Sequence, residues 1–112
     1  MPSLPDDALV VRGGANGPDN FIEGIGVLTD AAGLLSEVSV QCAPGKTVWE
    51  LSRPLLNGKT GVTTLQEVRN AGGEADPAPT RGNPDYCLLR GLDAATASSL
   101  FTPTIPNPHR VR

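Results

Sequence analysis

The stretch LSEVSVQC, residues 35–42, decides the fold class. In an extended chain successive side chains point to opposite sides, so Val38, Val40 and Cys42 share one face and Glu37, Ser39 and Gln41 the other. One face can pack against a core, and the polar one stays available. Just before it, DAAG (residues 30–33) has the composition of a turn, which pairs this strand with an extended piece at 26–29.

Further upstream, ALVVRGG (residues 8–14) predicts a first buried strand that runs into Arg12, Gly13 and Gly14. Pro18 suits the first turn of a short helix, PDNFIEG, with Phe21 and Ile22 inward and Gly24 as its stop. Downstream, a Pro-Gly turn leads to two capping boxes, Thr47-x-x-Glu50 and Thr64-x-x-Glu67. In each, hydroxyl and carboxylate can satisfy one another's backbone donors at a helix start. The first helix presents Val48, Leu51 and Leu55 on one face until Pro54 interrupts it, with Trp49 expected at the core edge. The second buries Leu65 and Val68 and ends at Gly72, and residues 61–63 between the two suit a brief strand.

The proline-rich link EADPAPTRGNP (residues 74–84) is expected to be extended or irregular. It leads to a core strand, DYCLLRG, and then to a helix capped by Asp93 that packs Ala94, Ala97 and Leu100 or Phe101. Prolines 103, 106 and 108 predict a stiff, irregular tail. No crossover helix is long enough for a doubly wound parallel sheet. The expected fold is therefore α+β, a small mixed or antiparallel sheet with three to four short helices. One domain spans residues 1–112, with a folded core at 7–102 and the tail at 103–112.

Bulk composition narrows the function. The chain has 112 residues, room for one core and one site. Its formal charge is −3, with 9 basic and 12 acidic residues interspersed, so no basic stripe suits a nucleic-acid backbone. No apolar run is long enough to span a bilayer, and a cytoplasmic protein, or one delivered into a target cell, is expected. Cys42 and Cys87 lack metal-ligand spacing; two buried thiols are the plain reading and one disulfide the other. The single histidine, His109, lies in the tail, which argues against a buried Ser/His/Asp triad and a histidine-based metal site.

The remaining candidates are few. Arg12 at a strand end can simply reach solvent; turned into a cleft, its planar fork would hold a phosphate or carboxylate bidentately. Gly13 and Gly14 suit a turn, and also let a ligand approach the backbone. Ser39 and Gln41 share the polar face of their strand and could floor a site beside Arg12. Tyr86 is either an interfacial core residue with a wet hydroxyl or a donor at the mouth of a cleft. Glu74 and Asp76 are solvated surface acids by default, and either could supply a carboxylate to a site.

The order VVRGG, then D-x-x-G-x-L, then EVSVQCAPG, then GNPDYCLL with a short helix and LF, spanning residues 10–101, resembles small bacterial toxin domains of the ADP-ribosyltransferase-like group. Type VI secretion effectors and polymorphic-toxin modules are of this kind. The resemblance implies NAD as cofactor and an antitoxin or immunity protein as partner. It makes Arg12 the holder of the NAD phosphates, with Gly13 and Gln41 beside it, and Ser39 the residue that places the nicotinamide ribose. Cleaving the nicotinamide–ribose bond develops positive charge on the ribose, which an anchored pyrophosphate and a nearby carboxylate would stabilise; Glu74 is one candidate for that carboxylate. Tyr86 stands where related sequences show a histidine, and CLLRG lacks the usual final acid.

Two other functions fit the residues. A noncatalytic adaptor or immunity-type module would use apolar helix faces and the tail, with an exposed patch near Trp49 or Phe101. A histidine-free ribonuclease toxin would gather Lys46, Lys59, Arg53 and Arg81, against the negative net charge.

Overall fold

The computed structural model describes residues 4–22 and 27–110. The alternating stretch becomes the central strand of the sheet. In chain order the strands are β1 (Leu9–Gly13), β2 (Val27–Thr29), β3 (Leu35–Ala43), β4 (Lys59–Thr64), β5 (Glu74–Pro77), β6 (Tyr86–Arg90) and β7 (Ile105–Pro106), and the helices are α1 (Val48–Leu51), α2 (Leu65–Asn70) and α3 (Ala94–Phe101). All strand pairs are antiparallel, in the order β5-β6-β3-β1-β4-β7, with β2 also on β3. The fold is α+β. Its helices number three among the described residues, because Pro18–Phe21 closes only a single 3-10 turn.

β3 is longer than its neighbours and changes partner along one edge. Residues 38–41 pair with β6 on one side, while on the other β2 takes Leu35 to Val38 and β1 takes Gln41 to Ala43. Ser39 and Val40 therefore have no strand beside them on that second edge. The face expected to pack does so: Val38, Val40 and Cys42 join Val10, Leu89, Leu65, Val68, Phe21 and Phe101 in one apolar cluster. Phe21 and Phe101 stack with ring centroids 6.0 Å apart, joining the 3-10 turn to α3. Full burial of each ring contributes roughly 1.5–3 kcal/mol.

The opposite face is thinly covered. Val11 and Ala43 meet Leu51 of α1, with Leu9, Leu55 and Val62 partly buried around them. α1 begins as the capping box requires: Thr47 Oγ1 accepts from the Glu50 amide while Glu50 Oε1 accepts from the Thr47 amide. It then stops after four residues, and Ser52 closes it by donating to the Val48 carbonyl. At Thr64 the hydroxyl accepts from the Glu67 amide, but no return bond from the Glu67 carboxylate forms, so that box is half made.

Three other segments sharpen or correct the expectation. Residues 74–77 of the proline-rich link form the edge strand β5, tolerable because an edge strand leaves a proline's missing N–H facing no partner. β4 extends over six residues rather than three, held on both sides by β1 and β7. Ile22, expected inward, is 60% exposed, since the 3-10 turn ends at Phe21. Gly24, the expected stop, lies outside the described residues.

The tail also folds back. Ile105–Pro106 pairs with β4, and Asn107 is completely buried, donating through Nδ2 to the carbonyls of Leu55 and Asn57. His109 stacks on Trp49 with centroids 3.9 Å apart, and its Nε2 lies 2.6 Å from the Trp49 carbonyl oxygen. Trp49 is nonetheless half exposed. Polar bonds to carbonyls thus anchor the segment that follows α1. No helix among the described residues is long and apolar enough to cross a membrane.

Candidate functional site

Arg12 lies where β3 changes partner. Its Nη1 donates to the Ser39 carbonyl at 2.8 Å, filling in for the strand that is missing there. The guanidinium carbon sits 5.1 Å from the centroid of the Phe21 ring, a cation–π contact. The residue is only 9% exposed, and burial lowers its pKa, yet a guanidinium stays protonated in proteins. Its Nε is buried without a hydrogen-bond partner, and among the described residues no carboxylate pairs with it. A buried cation so placed is a favourable seat for an anion.

The backbone around Arg12 is held firmly. Its carbonyl accepts from Asn16 Nδ2 and Thr60 Oγ1, and Asn16 itself sits at positive φ and is fully buried. Gly14 has φ +104°, the conformation a turn demands of glycine. Gly13 is glycine for another reason: a Cβ there would collide with the side chain of Asn57. Arg12, Gly13, Gly14, Asn20, Ser39 and Asn57 line one cavity of about 560 Å³, which Pro54, Leu55 and Leu56 also border.

Ser39 Oγ and Tyr86 Oη are 2.6 Å apart, a short hydroxyl–hydroxyl bond between diagonal neighbours on β3 and β6. Arg12, Ser39 and Tyr86 are therefore linked in one chain of contacts, the first through a carbonyl and the second through a hydroxyl. Gln41, directly opposite both Val11 and Tyr86, is 5% exposed because α1 and the segment after it cover its face. Its Oε1 is buried and unpartnered.

Gln41 borders a second cavity, of about 410 Å³, together with Lys46, Glu50, Arg53, Asn83 and Asp85. Lys46 Nζ binds both oxygens of Asp85 at 2.8–2.9 Å. Pro54 borders both cavities, so they adjoin over a floor made by alternate residues of β3. Lys46 and Arg53 come together here, but one of the two is tied to an acid. Their sum is not a basic surface.

Glu74 is not part of this assembly. Its carboxylate is held by Arg69 through Nε and Nη2 at 3.0–3.2 Å, and Arg69 also binds Asp6 and the Leu4 carbonyl. The Arg69 hydrogen bonds pull the Glu74 pKa below its ordinary value. Asp76 likewise faces Arg90 at 2.6 Å. Asp85 and Glu50 are the acids that border the cavities, and only their position after a turn and inside a capping box could have pointed to them in the sequence.

Cys42 and Cys87 are both free, buried thiols on the packed face, and Cys87 Sγ lies 3.3 Å from the Cys42 carbonyl. The bond to Cys87 and burial push the Cys42 pKa up, which leaves it a poor nucleophile. No protein-family model, curated protein or solved structure matches the chain.

Proposed function

We propose that the chain is an ADP-ribosyltransferase-like toxin domain that binds NAD in the cavity between Arg12 and Ser39, where β3 changes partner, and that an antitoxin or immunity protein controls it. The observation that carries this reading is Arg12: a buried first-strand guanidinium without a carboxylate, bordering a cavity with Ser39 and two glycines. The cavity's volume falls in the range of small-molecule sites. Arg12 would hold the pyrophosphate, the Gly13-Gly14 backbone would let it come close, and the Ser39 hydroxyl, oriented by Tyr86, would meet the ribose. NAD would supply the activated glycosidic bond; the chain's own part is to bind, orient and keep water away.

Glu74, engaged by Arg69, does not serve as the carboxylate in this arrangement. That same observation favours a second reading, a noncatalytic nucleotide-binding module that uses the Arg12 cavity for recognition alone.

Calorimetry of the full chain with NAD and inorganic pyrophosphate, beside Arg12→Met, tests the binding. Both ligands are expected to bind the wild type, and the variant to lose at least tenfold in affinity, about one charge-assisted hydrogen bond. Induced expression in a bacterial host separates the readings: growth inhibition lost with Arg12→Met supports the toxin, and harmless expression with intact binding supports the module. Absence of binding to the wild type overturns both.

A further inference from the structure

We infer that the cavity beneath Gln41 is a base-recognition pocket, which takes a planar group with adjacent hydrogen-bond donor and acceptor, such as adenine or a carboxamide-bearing ring. This inference rests on the anion reading of Arg12, because the two cavities adjoin at Pro54 and one ligand would have to span them.

The observation behind it is the state of the Gln41 side chain. It is 5% exposed on the sparse face of the sheet, its Oε1 has no hydrogen-bond partner among the described residues, and it borders a cavity of about 410 Å³. Buried acceptors are normally satisfied, so one left open beside a cavity is a vacancy for a donor. A primary amide carries an acceptor and two donors in one plane. Its best complement is another such edge: glutamine pairs bidentately with the amino group and ring nitrogen of adenine, and an amide pairs with a carboxamide in the same way.

The surroundings agree with a base rather than a second anion. Lys46 is occupied by Asp85 through both carboxylate oxygens, which leaves Arg53 as the cation in this lining without an ion pair among the described residues, set against Glu50 and Asp85. Ser39 and Gln41 are two residues apart on one strand face, a separation of roughly 7 Å. Because Ser39 borders the Arg12 cavity and Gln41 the adjoining one, a nucleotide with its phosphate at Arg12 could extend along β3 to place its base over Gln41. NAD has two ends with the required edge, adenine and the nicotinamide carboxamide.

Calorimetry with defined nucleotides on the full chain distinguishes them. If adenine is bound, ADP is expected to bind about tenfold more tightly than purine riboside diphosphate, which lacks the amino group altogether. If the carboxamide is bound, nicotinamide mononucleotide is expected to exceed nicotinic acid mononucleotide by at least the same factor. Gln41→Met should abolish whichever preference is seen, while leaving inorganic pyrophosphate affinity and the melting temperature no lower than in the wild type. Persistence of the preference in Gln41→Met, or no preference in a wild type that binds pyrophosphate, overturns the base pocket and leaves the anion site standing. Failure of the wild type to bind pyrophosphate overturns the anion site and the inference with it.

Discussion

On one face of the sheet Val10, Val38, Val40 and Leu89 meet Phe21, Phe101 and helices α2 and α3 in a continuous apolar cluster; on the other, Val11, Ala43 and Leu51 are the fully covered apolar residues. Gln41 borders one cavity on the second face, and Arg12, which leaves β1 on the same side as Val10 and packs against Phe21, borders another where β3 changes partner; each has a buried atom unpartnered. Apolar contact is non-directional and rewards any close fit, so the first face can supply most of the stability. Buried polar groups stabilise only when every bond is made, so the second face is kept at a cost that ligand binding can repay.

The largest effect expected from this contrast is that of Phe101→Ala, which should lower the unfolding free energy in urea by about 3–5 kcal/mol. Leu51→Ala on the sparse face should cost only about 2 kcal/mol, the low end for such truncations, because its apolar cluster is small. Equal costs would break the comparison. Next comes Asn107→Ala: it leaves the Leu55 and Asn57 carbonyls without their donor and should cost about 1–3 kcal/mol, read as a lower urea midpoint with unchanged slope.

Arg12→Met tests the buried cation that packs against Phe21 at the margin of the packed face. It forfeits the bond to Ser39 but also removes a desolvated cation, so thermal unfolding should shift by less than about 1 kcal/mol in either direction. A large loss would make the guanidinium a structural strut that replaces the missing strand. Tyr86→Phe removes one hydroxyl bond to Ser39 and should cost about 1 kcal/mol or less in the same assay.

The smallest effect expected is one of pH. The folded-state pKa of Glu74 lies below its ordinary value of 4.5, chiefly through its bonds to Arg69. The unfolded chain therefore takes up the proton first: the stabilisation is complete above that ordinary value and is lost as pH falls through the folded pKa. Melting curves between pH 6 and roughly pH 3 should show a steeper decline for wild type than for Glu74→Gln. Parallel declines would mean that the Arg69–Glu74 pair contributes nothing measurable, as many surface pairs do.

Much of the packed face could be read directly. The alternation of Val38, Val40 and Cys42, the apolar spacing of Leu65 and Val68, and the Asp93 cap each correspond to a local physical rule, and each holds in the fold. Arg12, Ser39, Gln41 and Tyr86 were legible as candidates because polar groups on or beside core strands need a reason. Glu74 was not separable from Asp85 in this way. An acid in a proline-rich link has no sequence mark for which cation will hold it, and Arg69 and Lys46 are remote along the chain from at least one of the residues they join.

The sequence by itself determined the α+β class, the central strand and its two faces, and the starts of the three helices, because alternation, helical spacing and caps act over a few residues. Only the tertiary structure decided that β3 changes partner at Ser39, that the tail closes the sheet at β4 and anchors the segment after α1, and that Arg12 and Gln41 border adjoining cavities. Those outcomes depend on register between distant strands and on where short segments are pinned. Such contacts are chosen by the whole chain's competition for burial and hydrogen bonds, and no local stretch encodes them.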